Sequence, residues 1–476
     1  MIDTNALRKK VIDLAVAGKL NEHITLKAND ELDSIKESLG NTCSRSISIE
    51  EKWTVIPDNW TWARLADITT NESLNDGNWV LSDDMVSEGE VKLIQLASIG
   101  DCEYKYKGFK YLTKEHFREL NGKQIYPGYL LINRLVVDKM MTCLIPDIEG
   151  ILMTAVDVCW VAPNDELYNI EYLMYAMSSS GVQQRVKELG HGVTRFRISK
   201  LNLIDIAFPL PPLEEQKTIV EKINELLSLL NCIDTLQEKY NSDLEVLKTK
   251  IIDAGIRGKL TEQLTEDGAA EDLYTLIQEE KTKLIKEGKI KKEKALPEIS
   301  DDEIPFEIPQ NWKWVRLYDL VTVLGDGLHG TPSYDEEGEF YFINGNNLQD
   351  GKIVIRFNTK RINEKESEKY RKDFSDKTIL ISINGTLGNI AFYNNEKVVL
   401  GKSACFINLL MKDVKYYLFY VLKSSYFISY ANYSATGVTI KNVSLKAMKE
   451  FCIPLPPLPE QKRISLKISE LLKLLT

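Results

Sequence analysis

From residue 213 to 257, apolar side chains fall at Ile219, Ile223, Leu226, Leu230, Ile233, Tyr240, Leu244, Leu247, Ile251 and Ala254. Steps of four and three alternate, which predicts one long amphipathic helix whose seam has a single polar member, Gln237. Pro-Leu-Pro-Pro at 209–212 stops the preceding strand, and Gly258 suits the C-cap. At about 1.5 Å per residue the rod would be roughly 65–70 Å long. Such a seam needs an antiparallel partner.

Elsewhere the pattern predicts α+β structure. KLIQLASI (92–99), YLLINRLVV (129–137) and ILMTAVDVCWVA (151–162) read as strands, and NIEYLMYAMSSSGVQQRVKEL (169–189) as a helix. The order recurs with EFYFING (339–345), TILISING (378–385), KVVLGKSACFINL (397–409) and the helix VKYYLFYVLKSSYFISYA (414–431). The strongly charged stretch 262–303 reads as a helix and an exposed linker.

Self-similarity organises the chain. ALRKKVIDLAVAGKL (6–20) is matched by VLKTKIIDAGIRGKL (246–260), and IPDNWTWARLADI (56–68) by IPQNWKWVRLYDL (308–320). IAFPLPPLEEQKTIVEKINELLSLL (206–230) is matched by FCIPLPPLPEQKRISLKISELLKLL (451–475), and GVTRFRIS (192–199) by GVTIKNVS (437–444). Blocks repeated in the same order imply a tandem duplication. Residues 69–190 and 321–435 barely resemble each other, so one duplicated frame carries two unlike inserts. The second copy of the long helix is split: Ile464, Ile468, Leu471 and Leu475 form its front half and Leu7, Val11 and Leu14 its back half. A circular pseudo-symmetry is expected, with both chain ends beside the central helix. Trp60, Trp62, Trp312 and Trp314 recur in both copies and read as frame packing.

Composition sets limits. At 476 residues, with 43% hydrophobic and 27% charged side chains, two or more globular domains are expected. No run of about 18 apolar residues occurs. The first residues interleave charge with apolar side chains and lack a signal-peptide core, so a cytoplasmic location is expected. Seven cysteines without CxxC spacing and four isolated histidines point away from disulfides and metal. The net charge of −10 argues against nucleic acid only if charge is uniform, and it is not. Residues 105–123, 185–200 and 359–372 are locally basic.

The arrangement resembles the specificity subunits of Type I restriction-modification systems over nearly the whole chain. The resembling features are IPxNWxWxRL opening each recognition domain, PLPPLxEQ closing it, and a helix ending in GKL. FSDKTILISINGTLGNIAFY (374–393) is similar to the family's Gly-Thr-x-Gly element, whereas YPGYLLINRLVVDKM (126–140) keeps Pro-Gly and lacks that turn. The resemblance implies an α+β fold in which two target-recognition domains are joined by a long antiparallel helical coiled coil with a circular pseudo-twofold repeat. The expected divisions are 1–20 and 456–476 as the split helical region, 45–210 and 304–455 as recognition domains, 211–260 as the central helix and 261–303 as the linker. It further implies that each domain reads one half of a bipartite duplex target. Two modification subunits, which bind S-adenosylmethionine and methylate adenine, would dock on the helices, through Leu226, Leu230, Leu247, Ile251, Leu471 and Leu475. Restriction subunits would add ATP- and magnesium-dependent translocation and cleavage, and no cofactor is expected on this chain.

Catalytic signatures are missing. Gly401-Lys402-Ser403 resembles the end of a phosphate-binding loop, but Glu396 stands where its first glycine belongs. No Asp/Asn-Pro-Pro-aromatic motif occurs, so a flipped-base methylation pocket is expected on a partner. For DNA contact, Arg134, Lys139, Arg195 and Arg197 are candidates in the first half, because arginine reads guanine bidentately and asparagine reads adenine. His329, Thr331, Asn384, Thr386, Lys402 and Lys441 are the second-half candidates, with Thr386 in a tight turn suited to a phosphate. Two other readings fit the sequence: the recognition subunit of a related methylating nuclease, and a scaffold whose inserts bind proteins.

Overall fold

The computed structural model describes residues 1–41, 45–192, 195–437 and 440–475. Val193, Thr194, Val438 and Thr439 of the repeated Gly-Val-Thr stretches, and Thr476, lie outside them. The chain divides into two units, Met1–Glu238 and Lys239–Thr476. The division falls inside one unbroken 44-residue helix, Leu213–Ile256, close to the span that the heptad spacing predicts.

In the first unit, strand Thr61–Arg64 pairs antiparallel with Ala207–Leu210. Those strands belong to two different repeated blocks, so the frame closes on itself around the insert. Inside it, a four-stranded antiparallel sheet runs in the order Leu74–Asp76, Val158–Val161, Leu130–Asn133, Thr142–Leu144. A three-stranded sheet has Phe109–Leu112, Val91–Ile94 and Ile151–Thr154, the last two parallel. The second unit has the same order of strands. Lys313–Arg316 pairs with Cys452–Leu455. Val321–Asp326, Ala404–Leu409, Thr378–Ser382 and Ile390–Phe392 form a four-stranded sheet, and Arg361–Ile362, Phe340–Ile343 and Val398–Leu400 a three-stranded one.

Two expectations are corrected. The runs 151–162 and 397–409 are not single strands: each is two, in different sheets, because the chain turns at 155–157 and at 401–403. The long insert helices are also each broken in two. Ser179 and Ser424 adopt extended backbone, separating Ile170–Ser178 from Ser180–Leu189 and Lys415–Lys423 from Ser425–Ser434. The orphan donors of each new helix start find partners in the frame. Ser180 donates through its N–H (2.7 Å) and hydroxyl (2.6 Å) to Asp13, and Ser425 does the same to Asp253.

The repeated motifs have a shared physical reason. Trp60 donates its indole N–H to Glu215 at 2.8 Å, and Trp312 to Glu460 at 2.8 Å, both carboxylates being fully buried. Burial alone would raise the Glu215 carboxyl, but hydrogen bonds from His23, Trp60, Asn59 and Asn21 outweigh it and hold the group below its usual range. The adjacent Gln216 and Gln461 donate to the Pro211 and Pro456 carbonyls at 2.9 and 2.8 Å, fixing the Pro-Pro turn to the helix start. Arg64 to Glu51 (2.9 Å) and Arg316 to Glu303 (3.0 Å) are a further matched pair.

Within the first unit, helix Thr4–Val16 lies antiparallel along the long helix. Ile2 N–H donates to Gln237 at 2.6 Å, Thr4 to Asp234 at 2.5 Å and Arg8 to Asn231 at 2.7 Å. At its far end Ile12, Ala15 and Val16 are buried in the core with Ile219 and Ile223. In the second unit Ile464 and Ile468 crowd Gly255, where a Cβ would fall 2.6 Å from Ile468 Cδ1. Between these packed stretches the seam is open: Tyr240 is 63% and Leu247 44% exposed.

Candidate nucleic-acid interface

The site is a junction at the ends of the central strands. In the second unit, Gly327 N–H donates to the Ala404 carbonyl (3.2 Å) and Leu328 N–H to Leu400 (2.7 Å) as the chain leaves the sheet after Asp326. Ile383 N–H reaches the Ser403 carbonyl at 3.0 Å, and Val443 N–H reaches the Ile383 carbonyl at 2.8 Å. Only glycine fits at 327, because a Cβ would fall 2.2 Å from the Gly401 carbonyl oxygen. These bonds bring Asp326, His329, Asn384, Lys402 and Asn442 around a cleft of about 230 Å³. His329 pairs with Asp326, and Asn384 donates its amide N–H to the Asn442 side-chain oxygen at 3.2 Å. Asn442 and Thr436 exchange both backbone hydrogen bonds at 2.9 Å, which fixes the backbone of Asn442 beside the cleft. Beside it, Gly385 (φ +76°) and Gly388 (φ +81°) make the turn that carries exposed Thr386. A Cβ at Gly385 would meet nothing within 4 Å, so this backbone is open to an approaching ligand.

The first unit has the same junction with other side chains. Gly77 N–H donates to Val158 (2.9 Å), Asn78 to Thr154 (2.9 Å), Arg134 to Asp157 (2.8 Å) and Ile198 to Arg134 (3.1 Å). His191 and Arg197 exchange both backbone bonds at 2.9 Å. Asp76 therefore matches Asp326, Trp79 matches His329, Arg134 matches Ile383, and Arg197 matches Asn442. Lys123 and Lys200 both donate to Asn75 Oδ1, at 3.1 and 3.2 Å. Burial pushes the Asp76 carboxyl above its usual range, against the pull of Arg134, Lys200 and Lys123.

Arg134 is corrected by this geometry. It is 7% exposed, its Nε lies 3.0 Å from Asp76, and its other nitrogens donate to the Ile198 (3.0 Å) and Val156 (2.6 Å) carbonyls. A guanidinium spent on the fold cannot reach a base edge. Arg195 is exposed, and Arg197 is about one-third exposed with Asp157 at 3.4 Å. Lys139 is held by Asp101 in a separate cleft with Arg8 and Asn231. In the second unit His329, Asn384 and Lys402 are brought together, Thr331 and Thr386 are exposed, and Lys441 donates to Asn432 at 2.6 Å. Asp76, Trp79, Asp326 and Asn442 escaped sequence reasoning. The one signal was an Asp-Gly pair in each otherwise unlike insert, at 76–77 and 326–327. Among the described residues, no group of three or more His, Cys, Asp or Glu is placed to hold a metal ion, and no helix is long and apolar enough to cross a membrane.

The family described as "Type I restriction modification DNA specificity domain" matches residues 148–242 and 309–476. The Type I restriction enzyme EcoAI specificity subunit of Escherichia coli is 24% identical, over 98% of this chain and 88% of the relative. A putative Type I restriction enzyme MjaX specificity subunit of Methanocaldococcus jannaschii is 25% identical, over 67% of this chain and 64% of its own. Among solved structures, a chain from one described as the structural basis of complex assembly and conformational transition of the type I R-M system superposes with a TM-score of 0.56. It is 18% identical, over 88% of this chain and 91% of that one, a likeness of fold. The chain belongs to the Type I restriction-modification DNA specificity family, and its function is recognition of a DNA target.

Proposed function

We propose that each unit reads one half of a bipartite duplex target through its own strand-end junction. The observation that carries this is the junction itself: one set of backbone hydrogen bonds is built twice, with Arg197, Trp79 and Asp76 in one copy and Asn442, His329 and Asp326 in the other. A stability requirement gives no reason to vary those positions on an unvarying frame, whereas two different half-sites do. The coiled-coil partnership around Leu213–Ile256 and the circular pseudo-twofold relation belong to this reading. So do the expected domain divisions, which place the recognition domains at 45–210 and 304–455. The helix then acts as a spacer of fixed length.

Modification subunits dock on the helical frame. Leu226, Ile251, Leu471 and Leu475 are half-buried and Leu247 is exposed, while Leu230 is buried and is withdrawn as a docking residue. Exposed Leu229 and Leu236 take its place. This chain performs no bond chemistry, and S-adenosylmethionine, ATP and magnesium act on the partner subunits. The test is binding of the full chain, with its modification subunits, to duplexes over a range of salt. Steep loss of affinity with log salt and selection of a two-part sequence are expected. Salt-independent binding, or methyl transfer by this chain alone, would overturn the reading.

A further inference from the structure

The position shared by Arg197 and Asn442 differs from its neighbours in what its surroundings leave to the side chain. Its backbone N–H and carbonyl are both used, by His191 in one unit and Thr436 in the other. The next residue, Ile198 or Val443, is buried and bonded into the sheet end, and the one after it, Ser199 or Ser444, caps a helix. The side chain is thus held on a backbone fixed at its own residue and at the two that follow, as precise readout requires.

Each side chain also has a neighbour that orients it. Asn384 donates to the Asn442 amide oxygen at 3.2 Å, and Asp157 lies 3.4 Å from the Arg197 guanidinium. The two residue types match two different base edges, arginine fitting guanine O6/N7 and asparagine fitting adenine N6/N7. Resting on the half-site reading above, we propose that Arg197 and Asn442 are equivalent specificity-determining residues, Arg197 selecting guanine at one position of the first half-site and Asn442 adenine at one position of the second. Asp157 and Asn384 are their positioning residues.

The test uses the full chain in complex with its modification subunits and duplex libraries randomised in one half-site at a time. Asn442→Arg should move the preference at one position of the second half-site from adenine toward guanine by about tenfold, leaving the first half-site unchanged. Arg197→Asn should produce the reverse change in the first half-site alone. Asn442→Asp, which keeps the shape of the side chain but accepts only, should lose adenine selection at the same position and keeps the test informative if the larger arginine disturbs the fold. Equal loss of affinity for every sequence, with a shallower salt dependence, would make these phosphate contacts and overturn the proposal. Unchanged selection would overturn it too. In both cases an unsubstituted protein that still selects a two-part sequence leaves the half-site reading standing. Absence of any selection by the unsubstituted protein defeats both.

Discussion

Arg134 and Ile383 hold the same place in the two units, each donating its backbone N–H into the turn before the next central strand and accepting from the start of the following frame block. One is a buried cation beside the half-buried Asp76 carboxylate and the other an apolar core residue. Removing the arginine takes this donor from the Ile198 and Val156 carbonyls and a cation from the partly desolvated Asp76. Arg134→Ala should therefore destabilise the first unit by roughly 3 kcal/mol. DNA of every sequence should be bound less well in proportion to the unfolded fraction. A stably folded variant with altered base preference would restore Arg134 as a reader.

Among the described residues, buried Glu460 accepts from the Trp312 indole (2.8 Å), Gln263 (2.8 Å) and Thr261 (3.2 Å). Trp312→Phe keeps an aromatic side chain but deletes the indole donor and part of its buried volume, and should cost at least about 1–3 kcal/mol. The loss is expected in the melting of the second unit, followed by hydrogen exchange, with protection in residues 1–200 unchanged. Equal loss of protection in both units would mean that the frame is not locked unit by unit.

Glu303 is held down to about 2 by the Arg316 guanidinium, helped by the Ser300 backbone N–H. Its folded pKa lies below the ordinary value of 4.5, so the pair stabilises the fold above about pH 4.5, and the contribution is lost as pH falls toward 2. The Glu303 side chain is 38% exposed, so solvent screening reduces the effect to roughly 1 kcal/mol. Glu303→Gln should lower the melting midpoint at pH 7 and flatten its decline between pH 4.5 and 2. A variant whose decline parallels that of the unsubstituted protein would remove this pair from the acid response.

The frame was legible in the sequence because its contacts join repeated blocks: Trp60 and Glu215 recur as Trp312 and Glu460, so each copy testifies to the other. The long helix was legible from spacing alone. The site was less so. Arg134 and Asp76 are 58 positions apart, and their burial follows from sheet order, which periodicity does not reveal. Charge in the sequence points to Lys441 over its neighbour Asn442, but in the fold Lys441 donates to Asn432. The helix breaks at Ser179 and Ser424 depend on Asp13 and Asp253, distant in sequence.

Replacing residues 321–435 with an unrelated insert of the same family should change one half of the recognised sequence. The swap keeps Trp312, Glu460 and the strand pair Lys313–Arg316 with Cys452–Leu455, so the frame is expected to close normally. The other half-site and the spacing should be retained, as read by sequencing methylated sites in cells carrying the hybrid. Simultaneous change in both halves would show that the units do not read independently.

The long helix can be tested as a ruler. It is continuous from Leu213 to Ile256, and its middle is sparsely covered, with Leu236, Tyr240 and Leu247 exposed. Gln237 clasps Ile2 through both its amide oxygen (2.6 Å) and its amide N–H (3.2 Å), so an insertion placed after it leaves the packed stretch before it intact. Seven added residues lengthen the helix by about 10 Å, close to three base pairs at about 3.4 Å each, and keep the apolar stripe in phase. The recognised spacer should then grow by two or three base pairs with both half-site sequences unchanged. Two added residues rotate everything downstream by about 200°, which should abolish binding to any spacing. A folded seven-residue variant that still prefers the original spacing would show that some other contact sets the distance between the half-sites.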